Sequence, residues 1–547
     1  MQVTVTGVGV TFAKSWDVSN TLPPGITVKG ATLVGNKWVI NDSTAASGVL
    51  TISGAPTTPG TYTFTADAWQ NTNLSGAETS GITAINVTGV AETAPAITTQ
   101  PASTTVSAGS AVTLSVVATG SPAPSYQWAK NGTAIAGATQ TSYSLPSAQT
   151  GDSGSYTVTL TNSLGTVTSQ IATLTVNAAT TAPAFSLQPV SHTVASGSTF
   201  LLSTAVTGAP TPTLQWNLDG VPVSGATSTS LLVSGATSAN GGTYTCTATN
   251  AGGSVTSNPA VVTVATTSDP GRLVNISCRS EVGTGSNILI AGFVVGGQGT
   301  SGTENLLVRA SGPALAAFGV TGTLLDPQLQ IYSGSTLLLT NNGWQGYANI
   351  SSAAAEVGAF PWTSAASHDS GIAKALGPGS YTAQVAGQTG DTGISLVEVY
   401  DVTPAGTYTP STPRITNISA RVSVGTGANV LIAGFVVGGS TAKTVLIRGS
   451  GPALTAFGVT GVIPDPQLQL FQSQSAGAPV LVGSNTGWGA DPLIASEASA
   501  VGAFAWGTAP TADSAILATL DPGVYTAEIS GAAGDTGISL VEIYDVP

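Results

Sequence analysis

Along most of the chain, apolar and polar residues alternate in short runs. Gly, Asn, Pro and Ser interrupt them every 8–12 residues or so. A period of two gives a strand one face for a core and one for water, whereas a helix repeats every 3.6 residues. YTVTLT (156–161) and ATLTVN (172–177) follow that pattern. The expected class is therefore all-β, built from antiparallel sandwiches. Helical character is expected only at SSAAAEVGAF (351–360) and its copy ASEASAVGAF (495–504).

Two duplications organise the chain. Residues 95–176 and 183–264 align without a gap at an offset of 88, matching Gln100 with Gln188, Trp128 with Trp216 and Tyr156 with Tyr244. Residues 272–402 and 414–546 form a longer pair. They share VGTGSNILIAGFVVGG/VGTGANVLIAGFVVGG, LLVRASGPALAAFGVTG/VLIRGSGPALTAFGVTG and GDTGISLVEVYD/GDTGISLVEIYD. The two are termed copy 1 and copy 2. Short Pro/Thr-rich linkers, such as NAATTAP (177–183) and TPAGTYTPSTP (403–413), read as semi-rigid spacers.

The first pair, with SYQWAKNGTAIAG/TLQWNLDGVPVSG and GSYTVTLTN/GTYTCTATN, resembles intermediate-type immunoglobulin-like domains. The resemblance implies a strand-C Trp and a Tyr two residues before the second Cys position. This chain departs from it at the disulfide, with Val116 and Val158 in the first domain and Thr204 and Cys246 in the second. LPPGITV followed by GVLTISGAPTTPGTYTFTADAW resembles the cadherin-like or immunoglobulin-like domains of bacterial surface proteins. The long duplication resembles a repeat of about 130 residues near the ends of large secreted proteins of environmental bacteria, and is read as a jelly-roll-like sandwich. The expectation is a serial array of five antiparallel β-sandwich domains, Ig-like and jelly-roll-like. Their limits are 1–92, 93–177, 183–265, 270–403 and 413–547.

Composition narrows the chemistry. The 547 residues carry 12 Lys+Arg and 25 Asp+Glu, a net charge of −13. So few cations argue against nucleic acid, whose phosphates require Lys/Arg clusters. The longest apolar run, 288–295, is far short of the ~20 residues of a membrane-spanning helix. The opening MQVTVTGVGV lacks the basic start and apolar block of a secretion signal, so Met1 is expected to begin a mature or renumbered chain. Two His and two Cys do not suffice for most His- or Cys-based active sites or metal centres. No catalytic residue, cofactor or metal is assigned.

Asp391-Thr392-Gly393 and Asp535-Thr536-Gly537 resemble the paired motifs of an aspartic protease. Here a Gly-rich turn precedes each motif and a strand follows, so each Asp is read as a turn residue. His368 is matched by Ala512, and His192 by Thr104 in the preceding domain, so both are read as surface positions. Cys246 and Cys278 are not required by their folds, and their pairing stays open.

The charges repeat in register. Arg272/Arg414, Arg279/Arg421 and Arg309/Arg448 pair by position, as do Glu398/Glu542 and Asp401/Asp545. Arg309, Arg448, Glu398, Glu542, Asp401 and Asp545 are read as structural ion pairs, semi-buried in alternating strands. Trp344, Trp488, Asp326 and Asp465 are open to two readings, as sandwich plugs and turn residues or as contacts for a sugar or Ca²⁺. At the N-terminus, Val3, Val5, Val8 and Val10 alternate as in a strand. That strand either completes its own domain or pairs with a neighbouring subunit.

These features imply a non-enzymatic extracellular or cell-surface protein that self-associates as a filament subunit, surface layer or adhesin stalk. The alternative is a carbohydrate-binding accessory region of a secreted glycan-degrading enzyme, with glycan as the possible partner.

Overall fold

The computed structural model describes the strand segments between Gln2 and Val87, and residues 92–547 except 405, 406, 410, 428, 429 and 507–511. The chain divides into two compact units, Met1–Ala179 and Thr180–Pro547. Both are dominated by strands, and the fold class is all-β.

In the first unit, Gln2–Thr6 pairs antiparallel with Val49–Gly54, setting Val3 opposite Ile52 and Val5 opposite Leu50. Val8 and Val10 lie outside the described residues. The strand carrying Val3 and Val5 thus has a partner within its own domain on one side and ends its three-stranded sheet. The following immunoglobulin-like domain closes around Trp128, which is fully buried and donates its indole N–H to the Gln140 carbonyl at 3.0 Å. Val116 and Val158 fill the place of the disulfide, at 3% and 0% exposure. Apolar contact replaces the covalent bridge there.

The second unit begins with the sister domain, built around Trp216, whose indole donates to the Ser228 carbonyl at 2.9 Å. Cys246 is buried without a disulfide, and Thr204 turns its hydroxyl to the Thr229 carbonyl.

The long duplication follows. Copy 1 contains β1 (Arg272–Val282), β2 (Leu289–Gly296), β3 (Glu304–Ser311), β4 (Pro327–Ser333) and β5 (Thr336–Asn341). Helix α1 (Ala348–Glu356) comes next, then β6 (Ser370–Leu376), β7 (Gly379–Gly387) and β8 (Gly393–Asp401). Copy 2 repeats the series as β9 (Arg414–Val424), β10 (Leu431–Gly438), β11 (Lys443–Ser450), β12 (Pro466–Gln472) and β13 (Val480–Asn485). It ends with α2 (Pro492–Ala500), β14 (Ser514–Leu520), β15 (Gly523–Gly531) and β16 (Gly537–Asp545).

The two copies are not separate beads. β1 of copy 1 pairs with β10 of copy 2, and β2 of copy 1 pairs with β9 of copy 2, all antiparallel. Two runs of eight strands result, ordered β6-β3-β8-β1-β10-β15-β12-β13 and β14-β11-β16-β9-β2-β7-β4-β5, and each takes four strands from each copy. They touch where Leu273 pairs with Ile415. The inner faces share one core that includes Ile276, Phe293 and Val397 of copy 1 with Ile418, Phe435 and Val541 of copy 2. Equivalent contacts recur across the junction, with Ile276 opposite Phe435 and Phe293 opposite Ile418. Joining β1 and β2 to partner strands satisfies backbone groups that an edge would leave unpaired. The limits of the sequence copies and the limits of the sheets therefore do not coincide.

The helices begin and end about one turn earlier than the sequence pattern suggests. Gly358 and Gly502, at φ +68° and +73°, follow the capping residues Val357 and Val501 and stop the helices. Each helix caps a satellite core, α1 setting its own Ile350 against Trp344 and Trp362, with Trp488 and Trp506 beneath α2.

The preceding immunoglobulin-like domain is clamped onto copy 2. Val194 bridges to Ala442, Leu201 N–H donates to Thr519 Oγ1 at 2.7 Å, and Thr444 Oγ1 donates to the Thr199 carbonyl at 2.6 Å. His192 belongs to this contact, since its Nδ1 lies 3.0 Å from Asp521 Oδ1 and its side chain is only 8% exposed. The surface reading of His192 is corrected accordingly, because the docking contact lies far away in sequence. His368, 66% exposed, does lie at the surface.

Candidate functional site

On the outer face of each sheet, cross-strand pairing aligns polar side chains in rows. In the first sheet Arg309 (β3), Glu398 (β8), Ser277 (β1) and Gly434 (β10) stand side by side. Arg448, Glu542, Ser419 and Gly292 form the same row in the second.

The covered end of each row is the buried pair. Arg309 Nε lies 3.5 Å from Glu398 Oε2, and Arg448 Nη1 lies 3.4 Å from Glu542 Oε2. These distances make ion pairs with little hydrogen bonding. The guanidinium groups gain contact from their faces. Arg309 is stacked between Phe360 and Trp362, each 4.4 Å away, and Arg448 between Phe504 and Trp506 at 4.4 and 4.1 Å. Burial raises the Glu398 and Glu542 carboxyls above the usual range, and the neighbouring Arg pulls each back. Tyr400 and Tyr544 donate to the same carboxylates at 2.6 and 2.7 Å.

Asp401 and Asp545 hold the opposite ends of β8 and β16. Asp401 accepts from Arg272 Nε at 3.2 Å, and Asp545 from Arg414 Nε at 2.6 Å. Here the copies diverge. Asp545 has a second cation in Lys443, while the equivalent residue beside Asp401 is Glu304. Burial, reinforced by Asp401, pushes the Glu304 carboxyl up to about 9.

Trp344 and Trp488 are 7% and 6% exposed and stack edge-on against Trp362 and Trp506 at 5.5 and 5.7 Å. The Trp344 indole donates to the Ser364 carbonyl at 3.0 Å. Neither ring offers a free face as a platform. Asp326 and Asp465 stand before β4 and β12, and their backbone carbonyls accept from Gln388 and Ala532 at 2.9 Å. His368 lies 3.5 Å from Asp326. Among the described residues no cluster of three His, Cys, Asp or Glu side chains is placed to hold a metal. Asp391 and Asp535 occupy turns opening β8 and β16, which belong to different strand runs. Cys246 and Cys278 are both buried and free.

The open end of each row leads into a groove at the junction of the copies. The first is lined by Ser277, Arg279, Phe318 and Leu396 of copy 1 with Ile432 and Gly434 of copy 2, and has a cavity volume of about 440 Å³. The second is lined by Ser419, Arg421, Phe457 and Leu540 of copy 2 with Ile290 and Gly292 of copy 1, at about 390 Å³. These six residues of one lining correspond position by position to the six of the other. Glycine keeps the floor low, because a Cβ on Gly434 or Gly292 would meet the Oγ of Ser277 or Ser419 at 2.7 Å. Phe318 and Phe457 are each 64% exposed, with an edge-to-face contact to Phe360 or Phe504 at 5.0 Å.

The exposed phenylalanines are held from below. Each closes a short 3-10 segment, Pro313–Phe318 or Pro452–Phe457. Buried Asp369 accepts from the backbone N–H groups of Gly312 and Ala314 at 2.7 and 3.2 Å, and Asp513 accepts from Gly451 and Ala453 at the same distances. Asp369 and Asp513 recur at equivalent positions of the two copies, but their hold on these segments is visible only in the fold, as is the exposure of both phenylalanines. The repeated AFGVTG was the available signal.

Comparison with known proteins addresses the first duplication. Residues 94–162 and 182–250 match the immunoglobulin domain family. Endoglucanase C of Cellulomonas fimi is 33% identical over 181 residues, covering 31% of this chain and 16% of that protein. The human cell adhesion molecule DSCAML1 is 28% identical over 178 residues, covering 30% of this chain and 8% of its own length. The chain thus spans less than a fifth of either relative. A crystal structure of the titin domains z1z2 in complex with telethonin is 30% identical, covering 32% of this chain and 100% of that one at a TM-score of 0.25. With buried Trp128 and Trp216 and the Tyr156 and Tyr244 hydroxyls bonded four residues back, residues 94–162 and 182–250 are immunoglobulin-like domains.

Proposed function

We propose that this chain is a non-enzymatic extracellular protein of a bacterial surface, a subunit of a filament or the stalk of an adhesin. The clamp between the second immunoglobulin-like domain and copy 2 carries the reading. Backbone hydrogen bonds and a shared apolar contact at Ala442 join the domain to the doubled sandwich. Such a joint transmits load, whereas a flexible tether would absorb it. The low density of charge lessens self-repulsion and favours association between copies. Similarity to an adhesion molecule over the immunoglobulin-like segment supports the same role.

Electron microscopy and sedimentation of the full chain across concentration and ionic strength test the polymer. Ordered filaments or concentration-dependent oligomers are expected, and monomers under every condition would refute it. A second reading, an accessory region of a secreted glycan-degrading enzyme, is supported by the similarity to Endoglucanase C.

A further inference from the structure

We infer that the two grooves at the junction of the copies are equivalent binding sites for an acidic saccharide, a pyranose unit bearing a carboxylate or sulfate. This deepens the adhesive reading by giving it a target chemistry.

The first argument is shape. Each groove has the volume of a small-molecule site, roughly 300–1,000 Å³, and a largely apolar floor with few polar groups. Strands from both copies build it, so it exists only because the copies are joined.

The second is the exposed ring. Phe318 and Phe457 present about two thirds of their surface, whereas Phe293 and Phe435 of the same copies are fully buried. Asp369 and Asp513 fix the segments that carry them. A rigid, exposed aromatic face beside a low glycine floor suits the C–H face of a pyranose ring through dispersion contact. The hydroxyls of Ser277 and Thr526, or of Ser419 and Thr382, supply hydrogen bonds at the rim.

The third is charge. Four of the six arginines, Arg272, Arg309, Arg414 and Arg448, are held in ion pairs with carboxylates. The other two, Arg279 and Arg421, are exposed and stand in the grooves. In a chain of net charge −13, the exposed guanidinium groups are thus placed in two equivalent hollows. A guanidinium binds a carboxylate or sulfate through paired N–H donors, which a neutral sugar cannot exploit equally.

The grooves differ in the charge around their arginines. Arg279 has Glu281 two residues along its strand and, beyond Ile432 in the same row, Glu528. Arg421 has Ser423 and, beyond Ile290, Gln384 at those places. The Arg421 groove therefore presents a less compensated positive charge and is assigned the higher affinity.

The test is calorimetric titration of the full chain with three probes: oligogalacturonate, a sulfated galactan oligomer and cellohexaose. At least one acidic probe should bind about tenfold more tightly than the neutral one, weakening as salt is added. Whichever acidic probe binds identifies the acid recognised. Phe457→Ala should abolish the tighter site, and Arg421→Gln should weaken it about tenfold, the worth of a charge-assisted hydrogen bond. Arg279→Gln should have a smaller effect. Glu528→Gln should strengthen the weaker site. The Phe positions are exposed, so an unchanged melting temperature verifies folding. Failure of both acidic probes to bind, equal binding of cellohexaose, or wild-type affinity in Phe318→Ala/Phe457→Ala would overturn the assignment. Sedimentation of the same samples reports self-association separately, so loss of the filament reading and loss of the grooves are distinguishable.

Discussion

Glu304 offers the sharpest test of the buried electrostatics. It is 1% exposed, Thr403 Oγ1 donates to one of its oxygens, and the carboxylate of Asp401 lies within hydrogen-bonding reach of the protonated acid. Burial and nearby Asp401 raise its carboxyl from 4.5 to about 9. The native state therefore keeps a proton that the unfolded chain releases above about pH 4.5. The sign follows from linkage. Stability from this group is fully present below the unfolded value and is lost as pH rises towards the folded one, at about 1.4 kcal/mol per pH unit. Between pH 4.5 and 7 the loss is on the order of 3 kcal/mol. Glu304→Gln has nearly the same shape, still accepts the Thr403 hydroxyl bond and has no proton to lose. Scanning calorimetry of the full chain from pH 5 to 9 should show the transition of the doubled sandwich falling in the parent and flatter in the variant. At pH 8 the variant should melt several degrees higher, since each kcal/mol shifts a domain of this size by about 2–4 °C. Parallel pH profiles for parent and variant would refute the reasoning. Glu304→Lys, which imports the copy 2 arrangement of Lys443 beside Asp545, should also remove the slope.

Three further outcomes are expected. Arg448→Leu strands the Glu542 carboxylate in the interior and should cost about 3–5 kcal/mol in urea denaturation, whereas the Arg448→Leu/Glu542→Leu pair should cost clearly less. Trp344→Ala empties the space under α1 and should cost about 3–5 kcal/mol, while leaving saccharide titrations at the Phe457 groove unchanged. Cys278 is buried and its thiol is pushed up to about 12, and Cys246 is buried and likewise raised, so Ellman's reagent should find no reactive thiol in native protein and two per chain in denaturant.

The sequence by itself determined the class and the repeats. Period-two alternation in YTVTLT and its relatives leaves a strand as the conformation that segregates apolar from polar side chains. Trp128 and Trp216, with Tyr156 and Tyr244 at the same offset of 88, marked the immunoglobulin-like cores through the family resemblance they carry. Arg309 and Glu398, with their copies, could be read as members of ion pairs because charge in so uncharged a chain had to repeat for a reason, but which carboxylate meets which guanidinium came from the strand register. Only the tertiary structure decided that β1 continues into β10 and β2 into β9, since the alternation that makes a strand does not name its neighbour. That pairing created the grooves and turned Arg279, Arg421 and two unremarked phenylalanines into a shared surface. It also decided the fate of the tryptophans. Trp344 and Trp488 carry the composition of a sugar platform, but a helix nine residues long lies over each, and burial, which no residue type reveals alone, makes them core.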